Sequence, residues 1–271
     1  MARRKKNKGW SLMRVVILPT EHDASIFAAD FIKEFITEKQ NAVLGLATGS
    51  SVLLTYEALI DRHRKGSLSF QNITTFNLDE YVGLTPNHNQ SYRNYMKQKL
   101  FDHIDINQNN TYIPECFDDA YELSCTNYEI EIKNHGGIDL QLLGIGSNGH
   151  IGFNEPTSSL SSRTRVKTLT QNTIANNSRF FKDTEVQPSI AITMGIGTIM
   201  EAQTILLLGL GKHKSKAVSE LVEGPLSSFC PGSALQNHAN AIVVLDNKAA
   251  SELKLYDYYI HTEKMKLEYM C

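Results

Sequence analysis

The clearest indication of the fold is the stretch 138-IDLQLLGIGSNGHIGFNEP-156. Its first part, residues 138–145, is apolar and short enough to be a buried strand. The part that follows, residues 144–156, is rich in glycine and ends at a proline, a composition typical of a loop. His150 and Glu155 therefore stand in a polar loop directly after a strand. Because open α/β sheets bind ligands at the carboxyl ends of their strands, this loop is a candidate site.

Short apolar runs alternate with helical patterns on both sides of this stretch. Strand-like runs include RVVILP, NAVLGLA, TILLLGLG and NAIVVLD. Apolar residues recur at helical spacing in HDASIFAADFIKEFITEK, which lies between the first two of these runs. This alternation predicts an open, mostly parallel α/β sheet with helices on both faces. Since the chain shows no internal repeat and no low-complexity linker, we predict a single domain over residues 13–271.

Composition and charge exclude several classes of function. A net charge of −2 gives no electrostatic footprint for nucleic acid, and no apolar run approaches the ~18 residues of a membrane helix. Residues 1–12 are strongly basic but lack the apolar core of a secretory signal, so we expect a disordered extension. Four scattered cysteines without a Cys-x-x-Cys pair predict reduced thiols in a cytoplasmic protein: Cys116, Cys125, Cys230 and Cys271.

The segment from about 157 to 187 has no apolar periodicity. An irregular segment of this length in a compact domain is usually functional or disordered. We expect a mobile lid that supplies cations, and its basic residues are Arg163, Arg165, Lys167, Arg179 and Lys182.

The sequence LATGSS predicts a phosphate-binding turn. A strand leads into Thr48, Gly49, Ser50 and Ser51, and a helix follows. Free backbone N–H groups and the positive end of a helix dipole would meet there, which favours an anion. The pattern differs from Gly-x-x-x-x-Gly-Lys-Ser/Thr, which disfavours a nucleoside triphosphate. An ordinary helix cap is the alternative.

Two further groups could carry acid–base chemistry. Asp79 and Glu80, in FNLDEYVGL, are predicted to end an apolar strand, where a carboxylate can serve as a general base. His150 can move a proton near neutral pH, and Glu155 can orient its ring. A solvated acid and a surface histidine are the alternatives. No second histidine lies at ligand spacing from His150, so we expect no metal. Together with the phosphate turn, these residues predict an isomerase, lyase or hydrolase acting on a sugar phosphate.

Four blocks of the chain resemble the glucosamine-6-phosphate deaminase (glucosamine-6-phosphate isomerase) family, in the order of that family. They lie between about Met13 and Asp246 and read FNLDEYVGL, GIGSNGHIGFNEP, SLSSRTRVKTLT and NNSRFF. The resemblance implies a Rossmann-like sheet and a role in cytosolic amino-sugar catabolism. It also implies conversion of glucosamine 6-phosphate and water to fructose 6-phosphate and ammonia, with no cofactor.

The resemblance also implies roles for individual residues. His150 would assist opening of the pyranose ring, Glu155 would orient it, and Asp79 would move the proton from C2 to C1. Asn148 stands where some members have Asp, so it would keep a hydrogen bond to His150 without adding charge. This difference predicts a displaced acidic limb of the pH–rate profile. The substrate phosphate would be held by Thr48, Gly49, Ser50, Ser51, Arg179 and Lys214.

Regulation and the rival functions complete the expectations. By resemblance, N-acetylglucosamine 6-phosphate would activate the enzyme at Ser158, Arg165 and Lys167, in a homo-oligomer for which a hexamer is favoured. Within enzymes, the rival is a 6-phosphogluconolactonase-like hydrolase, which would not need a base at Asp79. A non-catalytic sugar-phosphate sensor is the rival from another class, and it could dispense with Asp79, His150 or Glu155.

Overall fold

The computed structural model describes residues 13–115, 120–169 and 188–270. The basic extension and the second half of the predicted lid lie outside these ranges. No helix of the described chain combines the length and apolar character that a membrane crossing needs.

The main sheet has seven strands in the order β1-β10-β9-β6-β2-β3-β5, and all neighbouring pairs run parallel. This arrangement confirms the predicted open parallel sheet. Its central strands are buried along almost their whole length, because helices cover the sheet. The strands are β1 (Arg14–Leu18), β2 (Val43–Leu46), β3 (Thr74–Asn77), β5 (Thr111–Tyr112), β6 (Leu140–Gly144), β9 (Thr204–Gly209) and β10 (Ala241–Asp246).

The helices follow the strands, as the alternating pattern predicts. Helices α1 and α2 pack on each other and on the central strands of the sheet. The described helices are α1 (Glu21–Glu38), α2 (Ser50–Arg64), α3 (Tyr92–Lys99), α4 (Tyr121–Asn134), α5 (Ile196–Met200), α6 (Ser215–Glu223) and α7 (Tyr256–Met270).

A second, antiparallel sheet corrects two expectations. Its strands are β4 (Asp79–Tyr81), β8 (Ile190–Thr193) and β7 (Arg165–Thr168), with β8 in the middle. Residues 165–168 are therefore a strand, although the predicted lid around them was expected to be irregular. Pairing with β8 supplies the regular structure that the local sequence does not indicate.

The position of Asp79 also differs from the expectation. It begins β4 and does not end β3, because the chain leaves the main sheet at Leu78. The Leu78 N–H donates to the Leu46 carbonyl of the main sheet at 3.2 Å. The Leu78 carbonyl accepts from the Met194 N–H, next to β8, at 2.7 Å. Leu78 thus connects the two sheets, and Asp79 and Glu80 lie in the second sheet.

Candidate active site

Asp79 is a buried carboxylic acid in the second sheet. Its residue is 6% exposed, and its side chain accepts no hydrogen bond from any residue that the structure describes. Burial, and then the charge of Glu80, raise the pKa of Asp79 from 3.8 to about 8. A carboxylate with such a pKa and with free lone pairs is suited to abstract a proton from a bound substrate.

A chain of three side chains runs from His150 to Glu155. The Asn148 amide nitrogen donates to Oε2 of Glu155 at 2.7 Å, and Oδ1 of Asn148 lies 2.7 Å from Nδ1 of His150. An ionised carboxylate only accepts hydrogen bonds, so the Asn148 amide must donate to it and turn Oδ1 toward the ring. Nδ1 of His150 then carries the proton, which leaves the lone pair on Nε2 to receive another.

Glu155 is the buried end of this chain. It is 2% exposed, whereas the His150 side chain is 28% exposed and so remains accessible. Oε2 of Glu155 also lies 3.5 Å from Nδ1 of His150. A protonated imidazole would therefore meet a carboxylate within ion-pair distance, which stabilises the charged ring.

Gly146 leaves the space that the imidazole occupies. A Cβ at this position would lie 2.3 Å from Cε1 of His150. The Gly146 N–H also donates to the His150 carbonyl at 2.8 Å, which closes the loop beneath the ring. The glycine in the motif is thus required by close packing against His150.

The same loop reaches Asp79 through Gly152. A Cβ on Gly152 would lie 3.4 Å from Oδ2 of Asp79 and 2.9 Å from Oγ1 of Thr193. That hydroxyl accepts the Phe153 N–H at 3.1 Å, and Thr193 pairs with Asp79 across the second sheet. The structure therefore brings the loop of His150 and Glu155 next to the base candidate, although 71 residues separate Asp79 from His150 in the chain.

The predicted phosphate turn stands at the amino end of α2. Gly49 adopts the left-handed conformation with φ of 99°, and no described side chain caps the helix. Backbone N–H groups of the first helical turn are therefore free for an anion. Ser51 faces β6, since a Cβ on Gly144 would lie 3.5 Å from Cβ of Ser51. Thr48 and Ser50 complete the turn.

Lys214 is the predicted cation that the structure describes. It ends a short 3-10 turn, Lys212–Lys214, that follows β9. Its ammonium pairs with no carboxylate in the described ranges, and burial lowers the pKa of Lys214. Lys216, by contrast, has a side chain that is 80% exposed and lies 4.0 Å from Oε1 of Glu220. Arg179, the other predicted phosphate ligand, lies outside the described residues.

The three predicted activator residues are partly brought together. Arg165 and Lys167 lie two residues apart in β7, so they share one face of the strand. Burial lowers the pKa of Arg165, whose guanidinium donates to Oδ1 of Asn154 at 2.9 Å. Ser158 is buried, and its Oγ has no hydrogen-bond partner within the described parts of the chain.

Helix α3 contains two residues that the sequence analysis missed. The Tyr95 hydroxyl donates to the Gly49 carbonyl at 2.8 Å, and the Tyr92 ring stacks on Phe153 of the His150 loop with ring centroids 6.0 Å apart. The first contact reaches the phosphate turn, and the second reaches the His150 loop. Tyrosines on a short helix look like packing residues, so only the three-dimensional fold shows this role.

The fold and these side chains define a class of protein: an α/β enzyme that moves protons on a phosphorylated substrate. The family model described as glucosamine-6-phosphate isomerases/6-phosphogluconolactonase matches residues 21–244. The chain therefore belongs to this family. Within residues 13–115, 120–169 and 188–270, no three His, Cys, Asp or Glu side chains converge as metal ligands.

Curated relatives give the closer similarities. The chain is 51% identical to a glucosamine-6-phosphate deaminase of Colwellia psychrerythraea over 257 residues, covering 94% of this chain and 96% of the relative. It is 52% identical to a glucosamine-6-phosphate deaminase of Hahella chejuensis over 258 residues, covering 94% and 98%.

Solved structures agree with this fold. A monomeric glucosamine-6-phosphate deaminase superimposes with a TM-score of 0.86 at 46% identity, covering 89% of this chain and 100% of that one. A 6-phosphogluconolactonase from Trypanosoma cruzi superimposes with a TM-score of 0.71 at 19% identity, covering 91% and 98%. The likeness to the lactonase concerns the fold alone.

Proposed function

We propose that this chain converts glucosamine 6-phosphate and water to fructose 6-phosphate and ammonia. The observation that carries the proposal is the buried carboxylate of Asp79, which lies beside the His150 loop and accepts no hydrogen bond from a described residue. A base at this place is needed to remove a carbon-bound proton, and hydrolysis of a lactone does not require it. Identity of about half the residues to deaminases over nearly the whole chain supports the same reaction.

His150 performs the opening of the sugar ring. Its Nε2 takes the proton of the anomeric hydroxyl and returns it to the ring oxygen as the C1–O5 bond breaks. Asn148 holds the tautomer that leaves Nε2 free, and the Glu155 carboxylate balances the charge of the transient imidazolium. The product of this step is the open-chain aldehyde.

Asp79 then shifts a proton along the open chain. Its carboxylate takes the proton from C2, the aldehyde oxygen gains a proton from the ammonium group at C2 of the substrate, and a neutral enolamine forms between C1 and C2. The protonated Asp79 returns its proton to C1, which leaves an iminium at C2. Water adds to that carbon, ammonia leaves, and the C2 ketone remains. One base on one face of the substrate performs both transfers, as in aldose–ketose isomerases.

The phosphate is held at the other end of the site. The turn of Thr48, Gly49, Ser50 and Ser51 offers backbone N–H groups and hydroxyls, and Lys214 offers an ammonium without a competing carboxylate among the described residues. We also assign Arg179 to this phosphate by its place in the family's motif.

Measurement of ammonia release from glucosamine 6-phosphate by purified protein tests the reaction. We expect Asp79→Asn to bind substrate but to lose about 10²–10⁴-fold in rate, because general-base catalysis has this size. Solvent deuterium should enter C1 of the product with the natural enzyme. Turnover of 6-phosphogluconolactone without ammonia release would replace the proposal by the lactonase reaction, and binding of sugar phosphate without either turnover would indicate a sensor.

The regulatory proposal rests on β7 and its surroundings. Arg165 forms no ion pair with a described carboxylate, and the buried Oγ of Ser158 has no described partner. With Lys167 they would suit the phosphate of N-acetylglucosamine 6-phosphate as activator of a homo-oligomer, for which we favour a hexamer. Light scattering tests the assembly. A monomer, the state of the solved deaminase at 46% identity, would contradict this proposal.

We also propose that the enzyme acts in the cytoplasm. Cys230 is a buried free thiol, which suits a reducing compartment.

A further inference from the structure

Glu80 is a buried carboxylate beside the proposed base, and it has an unusual set of partners. Its carboxylate accepts three backbone N–H groups, from Tyr81 at 2.8 Å, from Tyr92 at 2.9 Å and from Arg93 at 3.0 Å. The last two belong to the first turn of α3, where backbone N–H groups otherwise lack a partner. Glu80 is only 6% exposed, so these bonds lie away from bulk water.

Asp79 and Glu80 occupy opposite sides of β4. Successive side chains of a strand alternate in direction, so Asp79 faces the His150 loop while Glu80 faces α3. Burial raises the pKa of Glu80 as well, but the three N–H groups that it accepts lower it again. Asp79 has no such donor among the described residues, so Glu80 should ionise first and Asp79 should keep its proton to higher pH.

We propose that Glu80 is a positioning residue for the proposed reaction: its ionised carboxylate keeps a negative charge beside Asp79 and fastens α3 to the strand of the base. The proposal rests on the proposed role of Asp79. The described hydrogen bonds of the Glu80 carboxylate go to β4 and α3 and not to the loop of His150, so the residue acts through Asp79 and through the helix.

Helix α3, which Glu80 binds, reaches the phosphate turn. From α3, the Tyr95 hydroxyl donates to the Gly49 carbonyl at 2.8 Å. The bonds from Glu80 to Tyr92 therefore connect the strand of the base to the turn that would hold the phosphate. Loss of these bonds should affect substrate binding as well as proton transfer.

The negative charge of Glu80 raises the pKa of Asp79. Burial and the negative charge of Glu80 both raise the pKa of Asp79, and among the described residues Tyr92 and Tyr128 also interact with it. On its own side, Glu80 faces Glu115, whose partner is Arg93. Neutralising Glu80 should lower the pKa of Asp79, so that the base becomes ionised, and active, at lower pH.

The test compares Glu80→Gln with Glu80→Asp and the natural protein. Proteins carrying ¹³C in the carboxyl groups of Asp and Glu are titrated by NMR, and Asp79→Asn and Glu80→Gln assign the two resonances. In the natural protein we expect Glu80 to titrate at lower pH than Asp79. In Glu80→Gln we expect the midpoint of Asp79 and the acidic limb of kcat/KM to move about one pH unit or more downward, since removal of a like charge from the neighbouring residue of a buried site has an effect of this order.

Glu80→Asp separates the two roles. It keeps the charge but withdraws the carboxylate from α3, so we expect the midpoint of Asp79 to stay near its natural value while KM rises. A merely structural role would change stability in both variants and leave the Asp79 midpoint in place. An unchanged midpoint in folded Glu80→Gln would overturn the proposal. Titration of Glu80 above Asp79 in the natural protein would overturn it too, and this measurement does not depend on the folding of any variant.

The outcome is distinguishable from failure of the proposed function. If the natural protein deaminates glucosamine 6-phosphate but the titration midpoint of Asp79 is unchanged in Glu80→Gln, only the proposed role of Glu80 is refuted. If the natural protein releases no ammonia, the proposed function fails, whereas the NMR titration still decides whether Glu80 acts on Asp79.

Discussion

Replacement of Asp79 by Asn should make the protein more stable, and by an amount that depends on pH. Folding places this carboxyl group in a site without hydrogen-bond donors among the described residues, where burial and Glu80 raise its pKa from 3.8 to about 8. The unfolded chain ionises the group freely above pH 4, but the folded chain does not. Ionisation thus favours the unfolded state increasingly as the pH rises from about 4 to about 8, and Asn at this position removes that effect.

The magnitude follows from the pKa difference. At pH 7 the unfolded carboxyl gains about 4 kcal/mol from ionisation and the folded carboxyl gains almost nothing. At pH 5 the corresponding advantage is about 1.5 kcal/mol. Any effect of the amide side chain on the free energy of unfolding that does not depend on pH is the same at pH 5 and at pH 7. The stability gained through Asp79→Asn should therefore grow by about 2–3 kcal/mol between pH 5 and pH 7, or roughly 5–10 °C in Tm.

Chemical unfolding of both proteins at a series of pH values measures this difference. Asp61→Asn is the control, because Lys65 lowers the pKa of Asp61 from its usual 3.8. Asp61 is therefore ionised in the folded and the unfolded chain above pH 5, and its replacement should add no pH dependence between pH 5 and pH 8. A stability difference between Asp79→Asn and the natural protein that stays constant from pH 5 to pH 8 would refute the reasoning. It would mean that the folded Asp79 is ionised throughout, as a solvated carboxylate is.

Three other substitutions test separate parts of the site. Lys214→Ala should weaken binding of glucosamine 6-phosphate by about 1.5–3 kcal/mol, measured by calorimetry, with no effect on glucosamine and little effect from Lys216→Ala. Gly146→Ala should displace the His150 ring and lower kcat by about 10²–10⁴-fold, while phosphate affinity persists in the same titration. Arg165→Ala should abolish the shift in half-saturating substrate concentration caused by N-acetylglucosamine 6-phosphate and leave the saturated rate nearly intact; hyperbolic kinetics in the natural protein would contradict this.

The main sheet could be predicted because each of its strands is a short apolar run between helices. The second sheet could not. Asp79–Tyr81 continues the extended pattern of β3, and nothing local indicates that Leu78 leaves one sheet for another. Its partner β8 is more than a hundred residues away in the chain, and such long-range pairing overrides local preference. The strand Arg165–Thr168 was missed for the same reason.

The site divides in a similar way. His150, Asn148 and Glu155 share one loop, so their spacing alone predicts that they meet. The contacts of α3 with Glu80 and Gly49 join residues that are distant in sequence, and the tyrosines of this helix resemble ordinary packing residues. Local motifs thus predict the candidate reacting groups, whereas the contacts that hold these groups in place depend on the tertiary fold.

Helix α3 also has a consequence for the choice of substrate. Glu80 fastens one end of this helix to the strand of Asp79, and Tyr95 joins the helix to the turn at Gly49. This eight-residue helix therefore fixes, before substrate binds, the distance between the carboxylate of Asp79 and the turn that we propose to hold the phosphate. The enzyme would therefore select its substrate by length. A hexose phosphorylated at C6 spans the distance between the turn and Asp79. A pentose phosphate or a sugar 1-phosphate would place its reacting carbon away from the Asp79 carboxylate.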